Sequence, residues 1–270
     1  MVTRAKSLLE RLLIEITHHE THELNVQFLS LKVGLSRWQL QRTFKALTGF
    51  SLIDYLREYR ICYGAKLLLN TELGVIDVAF SSGFTSQAAF SRAFKLRFSM
   101  TPIEYRRRAV KDDFTFNLFI PEHVEWSKAM TIRIEKKCAI MLEVKPSLGK
   151  SLMQDTLFQQ KPELSGYGFI GESDNTDKGE LSYLASIDQS EGPLTTFGVR
   201  KNVPEQLYAI VPHHGPLNDL ANTLNAFYGQ WLIESDYKMS GDFSIEYYDA
   251  RFNPAAADSY FETWIPICEK

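Results

Sequence analysis

Residues 26–45 read VQFLSLKVGLSRWQLQRTFK, and residues 75–95 read VIDVAFSSGFTSQAAFSRAFK. The two stretches are one pattern written twice. Val26, Leu29, Ser30 and Gly34 recur as Val75, Val78, Ala79 and Gly83, each 49 residues further on. In both, apolar residues at helical spacing run through a small residue to a glycine suited to a tight turn. An apolar residue and a hydroxyl follow, Leu35-Ser36 and Phe84-Thr85, so Ser36 and Thr85 are expected to cap a second helix. Leu40, Arg42 and Phe44-Lys45 then return as Phe90, Arg92 and Phe94-Lys95, displaced by one further residue. A helix, a glycine turn and a capped helix free to project make a helix–turn–helix.

The flanking sequence supplies the scaffold. Helical spacing predicts a helix from about Arg4 to Thr17, with Leu9, Leu12, Leu13 and Ile16 on one face, and a longer one from about Leu52 to Leu69. A last helix opens at Thr101-Pro102-Ile103-Glu104, a capping box with proline in the first turn. The connecting helix would span about 27 Å. With the widths of its neighbours, it sets the two projecting helices roughly one DNA turn, about 34 Å, apart. One chain is then expected to read two successive major grooves as a monomer.

In the first projecting helix Leu40, Phe44 and Leu47 form the inward stripe, which leaves Arg37, Trp38, Gln41, Arg42 and Lys45 outside. In the second, Phe90, Phe94 and Phe98 point inward, and Gln87, Ala88, Ser91, Arg92 and Lys95 outward. Arginine pairs with guanine and glutamine with adenine in the major groove, while small apolar groups touch the thymine methyl.

Charge supports a nucleic-acid partner. The net charge of −3 divides into +8 over residues 1–111, with 17 basic and 9 acidic residues, and −11 over the remainder. A half that meets a polyanion and a half that does not would be split in this way. The 270 residues suffice for two domains, and 44% hydrophobic with 23% charged residues excludes a disordered or fibrous chain. No apolar run reaches the ~20 residues of a membrane span, and no secretory leader is legible, so a cytoplasmic protein is expected. Cys62, Cys138 and Cys268 form no CxxC pair, and neither His18, His19 and His22 nor His213-His214 makes a ligand set, so no metal is expected. No GxSxG, Walker A or GxGxxG motif is present, which argues against an enzyme with those cofactors.

Beyond residue 111 the pattern changes to strands. Expected are a strand over Ile132 to Val144, a helix over Leu148 to Gln160, and strands over Tyr167 to Glu172 and Leu181 to Asp188. The order then repeats, with a strand over Gln206 to His213, a helix over Leu217 to Glu234, and strands over Phe243 to Asp249 and Tyr260 to Ile267. The fold class is therefore two domains: an all-α tandem helix–turn–helix domain, then an α+β domain with a pseudo-twofold β-α-β-β repeat. Two carboxylates on its strands stand beside aromatics. Alternation puts Glu246 with Tyr248 on one face and Glu262 with Trp264 on one face, and Tyr167 and Tyr208 are candidates to line the same groove. A carboxylate among aromatic walls offers a lipophilic cation both charge pairing and cation–π attraction.

Leu24 to Arg107 resembles the AraC/XylS family DNA-binding domain, and Gly34 to Lys45 is similar to its MarA–SoxS–Rob branch. Ile76-Asp77-Val78-Ala79-Phe80, Gly83-Phe84, Phe90 to Lys95 and Thr101 to Arg106 carry the rest of the likeness. The resemblance implies base or phosphate contacts from Trp38, Gln41, Arg42, Gln87 and Arg92, and RNA polymerase as a partner of an activator. The branch has a polar pair after the second cap, where this chain has Gln87-Ala88. Residues 128–270 resemble the GyrI-like, or SOUL-related, effector-binding domain through Ile245-Glu246-Tyr247-Tyr248, Tyr228 to Leu232 and Phe261 to Ile267. That resemblance implies a sensor of small molecules, and leaves open a hydrolase built around a Glu and a Tyr or a protein-interaction module. The expected organisation is a DNA-binding domain over 1–111, a linker over 112–127 and an effector-binding domain over 128–270. No cofactor is expected.

Overall fold

The computed structural model describes residues 4–19, 21–108, 131–137, 140–146, 166–172, 181–188 and 199–270. The chain divides into two compact units, Met1–Val124 and Glu125–Lys270. The expected linker 112–127 and the expected helix over Leu148 to Gln160 lie outside the described residues.

The first unit is helical: α1 (Arg4–His18), α2 (Val26–Val33), α3 (Arg37–Thr48), α4 (Leu52–Asn70), α5 (Val75–Ser81), α6 (Gln87–Phe98) and α7 (Pro102–Arg108). It has two cores with α4 shared between them. The first half of α4 gives Leu52, Tyr55 and Leu56 to a cluster with Leu9, Leu12 and Ile16 of α1, Leu29 and Val33 of α2, and Leu40 and Phe44 of α3. Its second half gives Ile61, Ala65 and Leu68 to a cluster with Val78 and Ala79 of α5, Phe90 and Phe94 of α6, and Tyr105 of α7. The small residues named from the sequence, Ser30 and Ala79, are both buried, which lets each helix pair approach.

The turn glycines take the left-handed backbone that L side chains avoid, Gly34 at φ 72° and Gly83 at φ 77°. Ser36 caps α3, its hydroxyl accepting from the Gln39 amide at 3.2 Å. The second cap differs from expectation: Ser86, not Thr85, accepts from the Ala89 amide at 3.2 Å. This accounts for the one-residue displacement between the repeats, because the second turn is longer by one residue. A polar clasp joins the two halves. Arg60 of α4 donates from Nη2 to the Leu24 carbonyl at 2.6 Å, and the Thr21 hydroxyl donates to the Ser81 carbonyl at 2.5 Å.

The second unit has β1 (Arg133–Lys137), β2 (Ile140–Pro146), β3 (Gly166–Glu172), β4 (Leu181–Asp188), β5 (Val199–Val203), β6 (Gln206–His214), β7 (Tyr237–Met239), β8 (Phe243–Tyr248) and β9 (Tyr260–Glu269). A helical run follows β6: a 3-10 turn Leu217–Asp219, α8 (Leu220–Ala226), a π-helical stretch Phe227–Trp231 and a last turn Leu232–Glu234. The strands form an antiparallel sheet in the order β1-β6-β9-β8-β3-β4-β2-β5, with β7 beside β9. Outward from the central β8–β3 pair the order is β8, β9, β6 on one side and β3, β4, β2 on the other, the pseudo-twofold arrangement read from the sequence. β5 and β7 were not foreseen. The expected strand from Ile132 is instead two pieces: Lys137 pairs with Gln206 and Ile140 with Val203, so β1 and β2 keep one register against β6 and β5.

Candidate functional site

On α3, Arg37 and Lys45 are exposed and Gln41 and Arg42 half-buried, so four of the five expected residues reach the surface. Trp38 does not. It is 2% exposed, and its place is beneath Arg42, whose guanidinium carbon lies 4.9 Å from the ring centroid. The expectation of a tryptophan on the outer face is corrected: helical spacing put Trp38 outside, but the ring folds inward and carries the arginine by cation–π attraction. On α6, Gln87, Ala88, Arg92 and Lys95 are exposed and Ser91 is half-buried. Phe90 and Phe94 are buried and Phe98 only partly so.

Both helices are anchored from behind. Phe90 meets Phe84 and Phe94 at ring-centroid distances of 5.3 Å, and Phe94 meets Tyr105 at 5.2 Å. Arg97 of α6 donates to Glu58 of α4 at 2.9 Å. The hydrophobic rows set the rotation of each helix, and the polar rows are left outward.

In the second unit the sheet separates what the sequence had grouped. Trp264 pairs with Ile245, and Tyr247 with Glu262 and Tyr167. Glu262, Trp264, Tyr247, Tyr167 and Tyr208 therefore share one face, while Glu246 and Tyr248 lie on the other. Of the two alternative carboxylates, only Glu262 shares a face with Tyr167 and Tyr208. Glu246 is buried with the Tyr248 hydroxyl donating to it at 2.5 Å; Tyr248 packs on Phe261 and Phe252, and Leu217 and Leu220 close on that cluster. On β3 the partners of these two residues are glycines, Gly168 for Glu246 and Gly166 for Tyr248. The His213-His214 pair also has a structural role. His213 is buried, with Nδ1 2.8 Å from the Thr223 hydroxyl and Nε2 3.1 Å from the Pro216 carbonyl.

The other face is an aromatic floor. Tyr247 stacks on Trp264 at 5.3 Å, Tyr167 meets both rings at 5.3 and 5.8 Å, and Phe169 stacks on Phe243 at 5.2 Å. Tyr208 is buried 6.4 Å from Trp264, its hydroxyl donating to the Pro204 carbonyl at 3.2 Å. Burial pushes the Tyr208 phenol above its ordinary range.

At the edge of this floor Glu262 is buried and accepts three hydrogen bonds. Oε2 accepts from Trp264 Nε1 at 2.9 Å, and Oε1 accepts from the Tyr260 hydroxyl at 2.8 Å and from Arg133 Nη2. Burial, and then donation to Glu262, raise the Tyr260 phenol. Lys137 Nζ stands 4.6 Å from the Trp264 ring centroid. Sequence reasoning missed Arg133, Lys137, Tyr247 and Tyr260 as members of this group. Tyr247 was legible only as a neighbour of Glu246, and the register that brings it to Glu262 is written across two strands.

No group of three His, Cys, Asp or Glu suited to a metal occurs among the described residues, and no described helix is long and apolar enough to cross a membrane.

Comparison with known proteins gives these features a family. A helix-turn-helix domain model matches residues 29–108, and the model of integron-associated effector binding proteins matches residues 129–267, just over half the chain. Regulatory protein SoxS of Escherichia coli (strain K12) is 37% identical over 103 residues, which are 38% of this chain and 96% of SoxS. The chain belongs to the AraC/XylS family. It is a DNA-binding transcriptional regulator of the SoxS and Rob type, with an effector-binding domain as its second half. Transcriptional regulator Rob of Salmonella typhimurium is 39% identical over 100 residues, 37% of this chain and 35% of Rob. A solved AraC-type regulator from Chromobacterium violaceum is 26% identical, with a TM-score of 0.37 over 40% of this chain and 96% of that one.

Proposed function

We propose that residues 1–111 of this AraC-family regulator read two successive major grooves with α3 and α6 as one chain. The chain would act in the cytoplasm as an activator that engages RNA polymerase. Residues 128–270 would sense a lipophilic, cationic small molecule. The observation that carries the first part is the pair of capped helices, each exposing Arg, Gln or Lys from a rigid apolar backing. Arg37, Gln41, Arg42 and Lys45 would face one groove, with Arg42 aimed by Trp38, and Gln87, Ser91, Arg92 and Lys95 the next.

The effector reading rests on the aromatic floor with a buried carboxylate at its edge. Glu262, Trp264, Tyr167, Tyr208 and Tyr247 would hold the ligand, and the rings favour a flat or aryl-bearing cation. Glu246 and Tyr248 would shape the opposite face without touching the ligand.

Two experiments test these readings. Selection of duplexes from a random-sequence pool by the full-length chain should enrich sites with two half-sites one helical turn apart. Enrichment of a single half-site, or of no sequence, overturns the two-groove reading. Calorimetry with a biphenyl bearing a trimethylammonium group should show binding that Glu262→Gln weakens about tenfold or more and Glu246→Gln leaves unchanged. The reverse order of effects would place the site on the other face of the sheet.

A further inference from the structure

The side chains of β1 already occupy both places a cationic effector would want. Arg133, Glu135 and Lys137 alternate onto the face of Trp264, because Arg133 pairs with Ile210 and Ile210 with Trp264. Arg133 holds the Glu262 carboxylate, and Lys137 lies over the Trp264 ring. Glu135 joins the two, at 3.1 Å from Arg133 Nη1 and 2.5 Å from Lys137 Nζ. The hydrogen bond from Lys137 holds the Glu135 carboxyl below its ordinary range.

The three donors on Glu262 are not alike. Trp264 is buried and set in the sheet, and Tyr260 is neutral and partly buried on the same strand. Arg133 carries the charge and is the exposed partner, with 49% of its side chain exposed against 9% for Glu262. A long exposed side chain swings out at little cost, and Glu135 is placed to keep hold of the guanidinium when it does. Removal of Arg133 without a replacement would leave a buried carboxylate without a cation, which is costly. Replacement by a ligand cation would keep the charge balance.

We infer that Arg133 is an internal competitor for the effector site, a specificity-determining residue that a ligand cation must displace from Glu262. The inference rests on the effector-site reading above. Competition lowers the apparent affinity of every cation by the fraction of time Arg133 holds the carboxylate. Only a ligand that also covers the aromatic floor recovers the loss, so small hydrophilic cations are rejected and lipophilic ones admitted.

The test uses the full-length chain and two probes of one shape: the trimethylammonium biphenyl and its neutral tert-butyl isostere. Binding is measured by calorimetry for the wild type and for Arg133→Gln, Arg133→Ala, Arg133→Lys and Glu262→Gln, each checked for thermal unfolding. Arg133→Gln keeps an N–H donor for the carboxylate and guards against loss of the fold in Arg133→Ala. Arg133→Gln and Arg133→Ala should bind the cation on the order of tenfold more tightly than wild type, with the neutral probe changed less than about twofold. Arg133→Lys, still a cation, should stay near wild type. If Glu262→Gln abolishes cation binding but the neutral Arg133 variants bind no more tightly than wild type, the competition is wrong and the site reading survives. If Glu262→Gln leaves cation binding intact, or no protein binds the cation, the site reading falls and the competition with it.

Discussion

Arg42 and Trp38 show how little of a side chain's task is fixed by its position on a helix. The indole is buried and the guanidinium lies on it, so the outward group at this point of α3 is the arginine and not the ring. Arg42→Ala should cost about 1–3 kcal/mol on the selected site and relax preference at one base pair. Lys45→Ala should weaken all sequences about equally, as a phosphate contact does. Titration of matched and scrambled duplexes checks both, and an unchanged ratio for Arg42→Ala would remove it from base reading. The repeated glycines make a second comparison. A Cβ on Gly34 would meet nothing within 4 Å, whereas one on Gly83 would stand 2.7 Å from the Thr21 carbonyl oxygen. Gly34→Ala should therefore cost only the left-handed penalty, about 1–2 kcal/mol. Gly83→Ala adds a backbone clash, for a total of at least about 2 kcal/mol. Urea unfolding of the full chain should rank them in that order; equal losses would show that the Thr21 loop gives way.

At the scale of elements, caps decide where the recognition helices begin. Ser86→Ala should destabilise by about 0.5–2 kcal/mol, while Thr85→Ala should have little effect, because only Ser86 holds an α6 amide. Denaturation midpoints of the two variants distinguish them, and a larger loss for Thr85→Ala would restore the shorter turn. The capping box of α7 has a pH signature. Glu104 accepts from the Thr101 amide and hydroxyl, both at 2.8 Å, and these bonds hold its carboxyl below the ordinary range. A folded-state pKa below the unfolded value means the support is complete above the ordinary glutamate value of about 4.3 and is lost as pH falls through the depressed value. Hydrogen exchange of α7 amides should therefore speed up on acidification below about pH 4, after correction for intrinsic rates. Glu104→Gln should remove that step; a step that persists in the variant would belong to another group.

For the molecule as a whole, charge and spacing act together. A basic half that neutralises several phosphates should lose DNA affinity with a log–log salt slope of several units, and a flat salt response would remove the electrostatic part of the reading. α4 runs through both cores, and the Arg60–Leu24 and Thr21–Ser81 bonds tie them together, so α3 and α6 are held apart by these parts. Arg60→Ala should broaden the tolerated distance between half-sites while leaving each half-site's sequence preference intact. Selection from duplex pools with varied spacers measures this. A uniform loss of affinity at all spacings would make the clasp a matter of stability alone.

The sequence by itself determined the helical unit almost completely, because helix contacts are local. Periodicity named Leu9, Leu12, Ile16, Leu40, Phe44, Phe90 and Phe94 as core, glycine chemistry placed both turns, and Thr101 with Glu104 announced α7. It misjudged Trp38, whose large ring bends inward from a position that spacing assigns to solvent, and Thr85, where two adjacent hydroxyls competed for one cap. In the sheet unit the doubled strand pattern and the alternation within each strand were legible, so Glu262 was rightly paired with Trp264 and Glu246 with Tyr248. Which pair faces which was not, since a strand's period of two leaves the choice of face to its neighbours. Only the tertiary structure decided that Tyr247 sits beside Glu262, that Glu246 lies on the opposite face, and that Arg133, 129 residues away in sequence, closes the carboxylate. Those are decisions of cross-strand register, carried by hydrogen bonds between segments that have no fixed distance along the chain.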